Sequence, residues 1–320
     1  MPTHESRFEQ ELLNLRRDKQ APHKPILLLA LFRLIDAGFI SSNRFRMIPE
    51  LIMEFRMLWS ILVTESQYKA NFALPFYHLK SSYFWKLIPR DGLIFSVTSS
   101  HSIRSLKALT DVLEYVDFDQ GCFEQLCNRD RNRFLQETLL RRYFPGQAIL
   151  PGGVENRTGQ ISAEILNSSP SVYRESVERI FRELPKETIE EEIYVRGSLF
   201  KREIPKIYRY RCAISGMQIE SSADIQMIDA CHIVPFSVSK NDTISNGISL
   251  CPNLHRAFDR GLIGITDHYT VKISKALVEI ESPFSVKQFE GQRIHLPDNP
   301  SYAPSKDSLA WHLANRFLWV

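Results

Sequence analysis

The sequence predicts an α+β protein in two parts: a mainly helical N-terminal domain, then a C-terminal domain of short strands closed by helices. Three observations carry this expectation. A chain of 320 residues is long enough for two ordinary domains, each with its own core. Apolar residues recur at helical spacing through most of the first 144 positions, whereas after Tyr210 they come in short β-type runs. Between these regions "PGQAILPGGVENRTG" gathers Pro and Gly with no apolar period, as a linker does.

"ESRFEQELLNLRRDKQ" sets Phe8, Leu12, Leu13 and Leu15 on one side of a helix. In "APHKPILLLALFRLIDAG" the two prolines favour an extended entry into a largely apolar helix that stops near Gly38. "PELIMEFRMLWSIL" is a further helix with Pro49 in its first turn. The aromatic stretch "NFALPFYHLKSSYFWKLIPRDG", broken by Pro75, reads as loop and short strand. Residues 106–144 return to helical periodicity. After the linker, "SVYRESVERIFREL" is amphipathic and "KETIEEEIYVRGSLFKREIPKIYRYR" strongly charged. Then come the β runs "RCAIS" and "IQMIDACHIV", a long loop, a short helix "PNLHRAFDRG", and a hairpin from "LIGIT" and "YTVKIS".

Composition narrows the function classes. With 43% hydrophobic and 24% charged residues the chain is globular rather than disordered. The net charge is +3, and the basic surplus lies in residues 1–150, which permits an anionic partner without requiring one. The opening "MPTHESRFEQELL" lacks the apolar core of a signal peptide, and "PILLLALFRLI" is interrupted by Arg33 and too short to span a bilayer. A cytoplasmic protein with no membrane partner is the expectation. The five cysteines form no C-x-x-C pair, so they read as free thiols and a tetracysteine zinc site is not expected.

The chemistry is concentrated in "CHIVPFSVSKNDTISNGISLCPNLHRAFDRGL". His232 falls near a strand end, where a side chain can face a cleft. Alternation puts Asp229 and Cys231 on the opposite face. Asn246 precedes Gly247 in a turn signal, and His255 and Asp259 share a helix face one turn apart. Each residue alone has an ordinary structural use; together, in the order strand His, loop Asn, helix His, they match the ββα-metal nucleases. A neutral imidazole can take a proton from water near neutral pH. A divalent ion stabilises charge on phosphorus and on the leaving oxygen, and takes imidazole or oxygen ligands. An asparagine between them can hold the ion or fix the loop.

"YRYRCAISG…IDACHIVPF…SNGISLCPNLHRAFDRGLIGI" resembles the HNH endonuclease family, in the branch found among modification-dependent restriction enzymes. The resemblance covers about residues 205–275, and "IHLPDNPSYAPSKDSLAWHLANRF" is similar to the tail of such domains. It implies His232 as general base, Asn246 as the middle motif residue, His255 as a metal ligand and Asp229 as a second ligand. The implied cofactor is a divalent cation, Mg²⁺ or Mn²⁺ foremost, with Co²⁺ or Ni²⁺ as softer alternatives. Many relatives carry Asp immediately before the first His, where this chain has Cys231. That leaves the second ligand open among Asp229, Cys231 and Asp259. Cys212 and Cys251 read as small buried hydrophobes.

"APHKPILLLALFRL", "NFALPFYHLKSSYFWKL" and "LLRRYFPG" resemble, over about residues 5–146, the sulfur-binding domain fused to HNH nucleases that restrict phosphorothioate DNA. The resemblance implies Pro75 and Phe76 in a pocket-forming stretch, His23 and Lys24 in a DNA-contacting loop, and Arg17 on a phosphate. Leu74 stands where relatives often have an aromatic. Without the resemblance, these residues read only as basic and aromatic.

The expectation is therefore a DNA-reading domain over 1–150, a linker and helical connector over 151–204, and an HNH nuclease over 205–320. The partner is double-stranded DNA, phosphorothioate-modified, and a two-fold dimer would suit cutting of both strands. The alternatives are an HNH nuclease directed to a modified base and a DNA-binding protein whose HNH fold is inactive.

Overall fold

The computed structural model describes residues 4–17, 20–63, 68–95, 103, 105–146, 154–219, 227–280 and 282–319. The centre of the predicted linker and the first residues of "IQMIDACHIV" lie outside them. The chain divides into two compact units, residues 1–158 with 184–195, and residues 159–183 with 196–320. The residues expected as a connector, 151–204, are thus shared between the units. The class is α+β, as the patterning predicts.

The first unit is built around α2 (His23–Asp36), whose residues from Lys24 to Phe32 are all buried. A helix apolar on every side belongs at the centre of a helical layer. Around it pack α3 (Pro49–Leu62) and α6 (Gln120–Cys127) with α7 (Arg129–Tyr143), and α1 (His4–Leu13) lies against α6 and α7. Pro49 is the first residue of α3, as expected. A three-stranded antiparallel sheet in the order β1 (Arg44–Phe45), β3 (Leu113–Phe118), β2 (Trp85–Pro89) supplies the β component. Phe8, Phe84 and Phe118 meet edge-on or tilted, with centroids 5.2 Å apart for Phe8–Phe84 and 5.4 Å for Phe84–Phe118.

Two expectations here are corrected. Within 106–144, only Leu106–Val112 (α5), α6 and α7 are helical; "LEYVDF" is the central strand β3, and a six-residue strand is too short to break a helical reading of its flanks. Conversely, Ala73–His78 around Pro75 is helix α4, not loop. Pro75 is tolerated because it lies in the first turn, where its missing amide has no intrahelical acceptor, and Asn71 Oδ1 accepts from Leu74 N at 2.9 Å.

The helices after the linker are α8 (Val154–Asn167), α9 (Pro170–Glu183) and α10 (Lys186–Ile207). In the second unit, β4 (Asp229–His232) pairs antiparallel with β5 (Gly247–Leu250), with Cys231 opposite Ile248 and His232 opposite Gly247. The connection holds the short helix α11 (Phe236–Ser239). After β5, α12 (Pro252–Asp259) packs on β4, completing a ββα unit. The hairpin β6 (Ile263–Ile265) and β7 (Val271–Ile273) and the C-terminal helix α13 (Lys306–Asn315) close the far side. Strand β5 was not foreseen, because Asn-Gly reads as a turn. "RCAIS" forms a turn with a single bridge, Arg211 to Gln218. Gly261 ends α12 with φ +72°, and a Cβ there would lie 1.9 Å from the Arg316 carbonyl oxygen. Only glycine fits that crossing.

Candidate active site

Strand β4 presents its side chains to two sides, as the alternation predicts. On one side Cys231 meets the α12 face carrying His255 and Asp259. His255 Nδ1 lies 3.1 Å from Asp229 Oδ2, and His255 Nε2 lies 3.4 Å from Asp259 Oδ2. Cys231 Sγ is 3.7 Å from Asp259 Oδ1. One donor atom each from Cys231, His255 and Asp259 falls within 4.8 Å of the others. A thiol, an imidazole and a carboxylate at this spacing suit a divalent cation, with the mixed N, O and S set favouring a borderline ion over Mg²⁺. Asp229, expected as the second ligand, contacts Nδ1, across the ring from Nε2. Such a contact orients a ligating histidine. Cys231 is fully buried, and burial, then the Asp259 carboxylate, push its thiol well above its ordinary value.

On the other side, His232 sits at the end of β4 against the Phe200 ring of α10, stacked at 3.9 Å with planes 6° apart. Its Nε2 is 2.7 Å from Asp242 Oδ1. The other Asp242 oxygen accepts from the Tyr173 hydroxyl of α9 at 3.3 Å. Asp242 is 2% exposed. Tyr173 is equally enclosed, and burial raises its phenol far above the ordinary value, so it stays a donor.

Asn246 is fully buried and committed to the loop between the strands. Its amide nitrogen donates to Val234 O at 2.8 Å and Asn241 O at 2.9 Å, and its oxygen accepts from Val234 N at 2.9 Å. Of the two uses open to it, holding an ion or fixing the loop, the geometry takes the second. Gly247 has φ −120°, ordinary extended backbone. What it provides is room: an added Cβ would fall 2.3 Å from Ile204 Cδ1 and 3.0 Å from Phe200 Cε2.

The expected DNA-contacting residues of the first unit are less gathered. Lys24 Nζ donates to Ser81 Oγ at 3.0 Å, and burial, then neighbouring Arg16, bring its ammonium down to about 8. His23 lies 4.5 Å from the Trp59 ring and bonds Lys69 O through Nε2 at 2.9 Å. Arg17 caps the Tyr143 ring at 4.3 Å and donates to Gln20 O at 3.0 Å. Phe76 is fully buried between Phe72 and Trp85, at 5.4 and 5.0 Å, so it supports the segment from the core and offers no face to a ligand. Pro75 is buried beside it, while Leu74 and His78 are partly exposed.

Asp242, Tyr173 and Phe200 escaped the reading of the sequence. Asp242 sits four residues before Asn246 in a polar loop, and nothing in that spacing points at His232. Tyr173 and Phe200 lie on helices expected only to connect. Cys231 departs from the family pattern, and the structure brings its sulfur together with His255 and Asp259. The described cysteines are all free thiols.

Residues 212–266 match the family described as HNH endonuclease. The C-terminal part of the chain therefore carries an HNH endonuclease domain. Among solved structures, the chain is similar to a "Modification dependent TagI restriction endonuclease" at 22% identity and TM-score 0.29, covering 36% of each chain. It is also similar to the "Type IV phosphorothioation-dependent restriction endonuclease ScoMcrA" at 11% identity and TM-score 0.34, covering 80% of this chain and 82% of that one. The chain thus spans about a third of the length of the first of these. No curated protein matches it. No helix among the described residues is long and apolar enough to cross a membrane.

Proposed function

We propose that the chain is a modification-dependent restriction endonuclease: the first unit reads phosphorothioate-bearing double-stranded DNA, and the HNH domain hydrolyses a phosphodiester bond nearby. The observation that carries the nuclease reading is the ββα unit with His232 at the end of β4 and the Cys231–His255–Asp259 cluster beside it.

In this reading His232 takes a proton from water through Nδ1, the oxygen attacks phosphorus, and the bond from phosphorus to the departing sugar oxygen breaks, that oxygen taking a proton from solvent water. Cys231, His255 and Asp259 would hold a divalent cation, with Asp229 fixing the His255 ring. When bound, the cation supplies positive charge against the phosphoryl and departing oxygens. Asn246 keeps the loop after His232 in one shape.

The sulfur reading rests on the sequence resemblance and on the surroundings of Lys24. Sulfur in place of a non-bridging oxygen makes a larger, softer corner that accepts hydrogen bonds poorly. A partly exposed apolar Leu74, with the cations Lys24 and Arg17 in the same unit, suits such a group and its neighbouring phosphates. The test is cleavage of matched plasmids with and without phosphorothioation, in Mg²⁺, Mn²⁺ and Co²⁺. The modified plasmid should be cut, and His232→Ala should bind it without cutting. Wild-type rates in that variant would remove His232 from the mechanism. Equal cutting of both plasmids would remove the sulfur, and preference for a base-modified duplex would move the mark to the base.

A further inference from the structure

We infer that Asp242 is the positioning residue of the proposed base, holding the His232 imidazole with its proton on Nε2 and its Nδ1 lone pair free for water. The inference rests on the reading of His232 as base and adds to it a buried support drawn from two helices outside the ββα unit.

The contacts leave little choice of ring state. A carboxylate only accepts hydrogen bonds, so the 2.7 Å contact from Asp242 Oδ1 requires the proton to be on Nε2. The second carboxylate oxygen is engaged by the Tyr173 hydroxyl, which fixes the direction of the carboxylate. Arg196, buried like Tyr173, places its guanidinium carbon 5.3 Å from the Tyr173 ring centre and binds Glu164 at 2.9 Å, so Tyr173 is itself held in place. Rotation of the imidazole is limited separately by the parallel Phe200 ring. Among the described residues no hydrogen bond is made by His232 Nδ1, and the side chain remains 24% exposed. One nitrogen is tied down inside, and the other is left for the solvent side.

Asp242 is placed by the same loop that Asn246 clamps. Asn241 O receives the Asn246 amide, and Asn241 Oδ1 accepts from Thr243 N at 2.9 Å, so both neighbours of Asp242 are fixed. The middle residue of the His–Asn–His series thereby acts on the first: Asn246 sets the loop, the loop sets Asp242, and Asp242 sets the proton on His232. A base needs the correct tautomer as well as the correct place.

The test uses the full chain and two readouts. The first is the ¹⁵N spectrum of the histidine side chains, with the His232 signal assigned by its loss in His232→Gln. Wild type should show the Nε2–H form, and Asp242→Ala should show a mixture. The second is steady-state cleavage with saturating metal. Asp242→Ala should lower kcat by at least about tenfold, a part of the roughly 10²–10⁴-fold that a positioned base contributes, with KM unchanged. Tyr173→Phe, which removes one hydrogen bond to the carboxylate and little volume, should cost about two- to fivefold in kcat, a fraction of what such a bond contributes because its effect reaches His232 only through Asp242. An Nδ1–H form in wild type, or a folded Asp242→Ala that cuts at the wild-type rate, overturns the inference. Should Asp242→Ala not fold, the wild-type spectrum and Tyr173→Phe still decide. Failure of His232 as base would appear separately, as undiminished cutting by His232→Ala, and would leave the tautomer result standing.

Discussion

Replacing Gly247 by Ala tests whether α10 is part of the catalytic framework. The backbone there is extended, so alanine meets no conformational penalty, and the loss of chain freedom in the unfolded state would by itself stabilise by about 0.4–1 kcal/mol. Against this, the new methyl would lie 2.3 Å from Ile204 Cδ1, 2.8 Å from Ile204 Cγ1 and 3.0 Å from Phe200 Cε2. Ile204 and Phe200 are both fully buried, so neither can turn away into solvent. Overpacking of this kind costs about 1–3 kcal/mol. The net expectation is a destabilisation of about 1.3 kcal/mol at the middle of the two ranges, with an upper end of about 2.6 kcal/mol. Because Phe200 is the ring stacked on His232, cleavage should fall as well. Urea titration, followed by hydrogen exchange of the β4–β5 amides, reads the first effect, and plasmid nicking reads the second. The double variant Gly247→Ala with Ile204→Val removes the methyl nearest the clash and should recover much of the stability. A Gly247→Ala protein as stable as wild type, or one that Ile204→Val destabilises further, would refute the reasoning.

Two other outcomes follow from the site and from the first unit. Cys231→Asp should move the metal preference toward Mg²⁺, lowering the concentration needed for half-maximal cleavage by about tenfold, since a carboxylate suits a hard ion and a thiol does not; a metal titration of nicking checks this, and an unchanged preference would take Cys231 out of the ligand set. Lys24 is charged below about 8 and loses its charge as pH rises through that value, so DNA affinity should decline above pH 8 in wild type. A bound phosphate would move that decline upward, and Lys24→Arg should flatten it. In Lys24→Ala the slope of log affinity against log salt should shrink by about one. Fluorescence anisotropy with labelled duplex measures all three.

The residues whose chemistry is local were legible in the sequence. His232, Asn246 and His255 announce themselves by type and order, and the strand, loop and helix that carry them follow from short-range pattern. Pro49 at the start of α3 and the β6–β7 hairpin were equally readable. Partnerships between distant segments were not. Asp242 reaches His232 across a loop, and Tyr173 and Phe200 reach it from helices far earlier in the chain, so no spacing rule connects them. Gly247 was misread for a related reason: its requirement comes from what packs on it, not from its own φ. Phe76 shows the converse, since an aromatic beside a proline reads the same whether it faces a groove or the core.

The division of the chain has a practical consequence for building chimaeras. Residues 159–183 belong with the second unit, 184–195 with the first, and 196 onward with the second again. A single junction at any position therefore strands a segment with the wrong partner. A junction at 205, where the family motifs begin, would discard Tyr173 and Phe200 and deliver a nuclease without the scaffold around its histidine. Exchanging the first unit for another calls for two replacements, one before residue 159 and one over 184–195, made together.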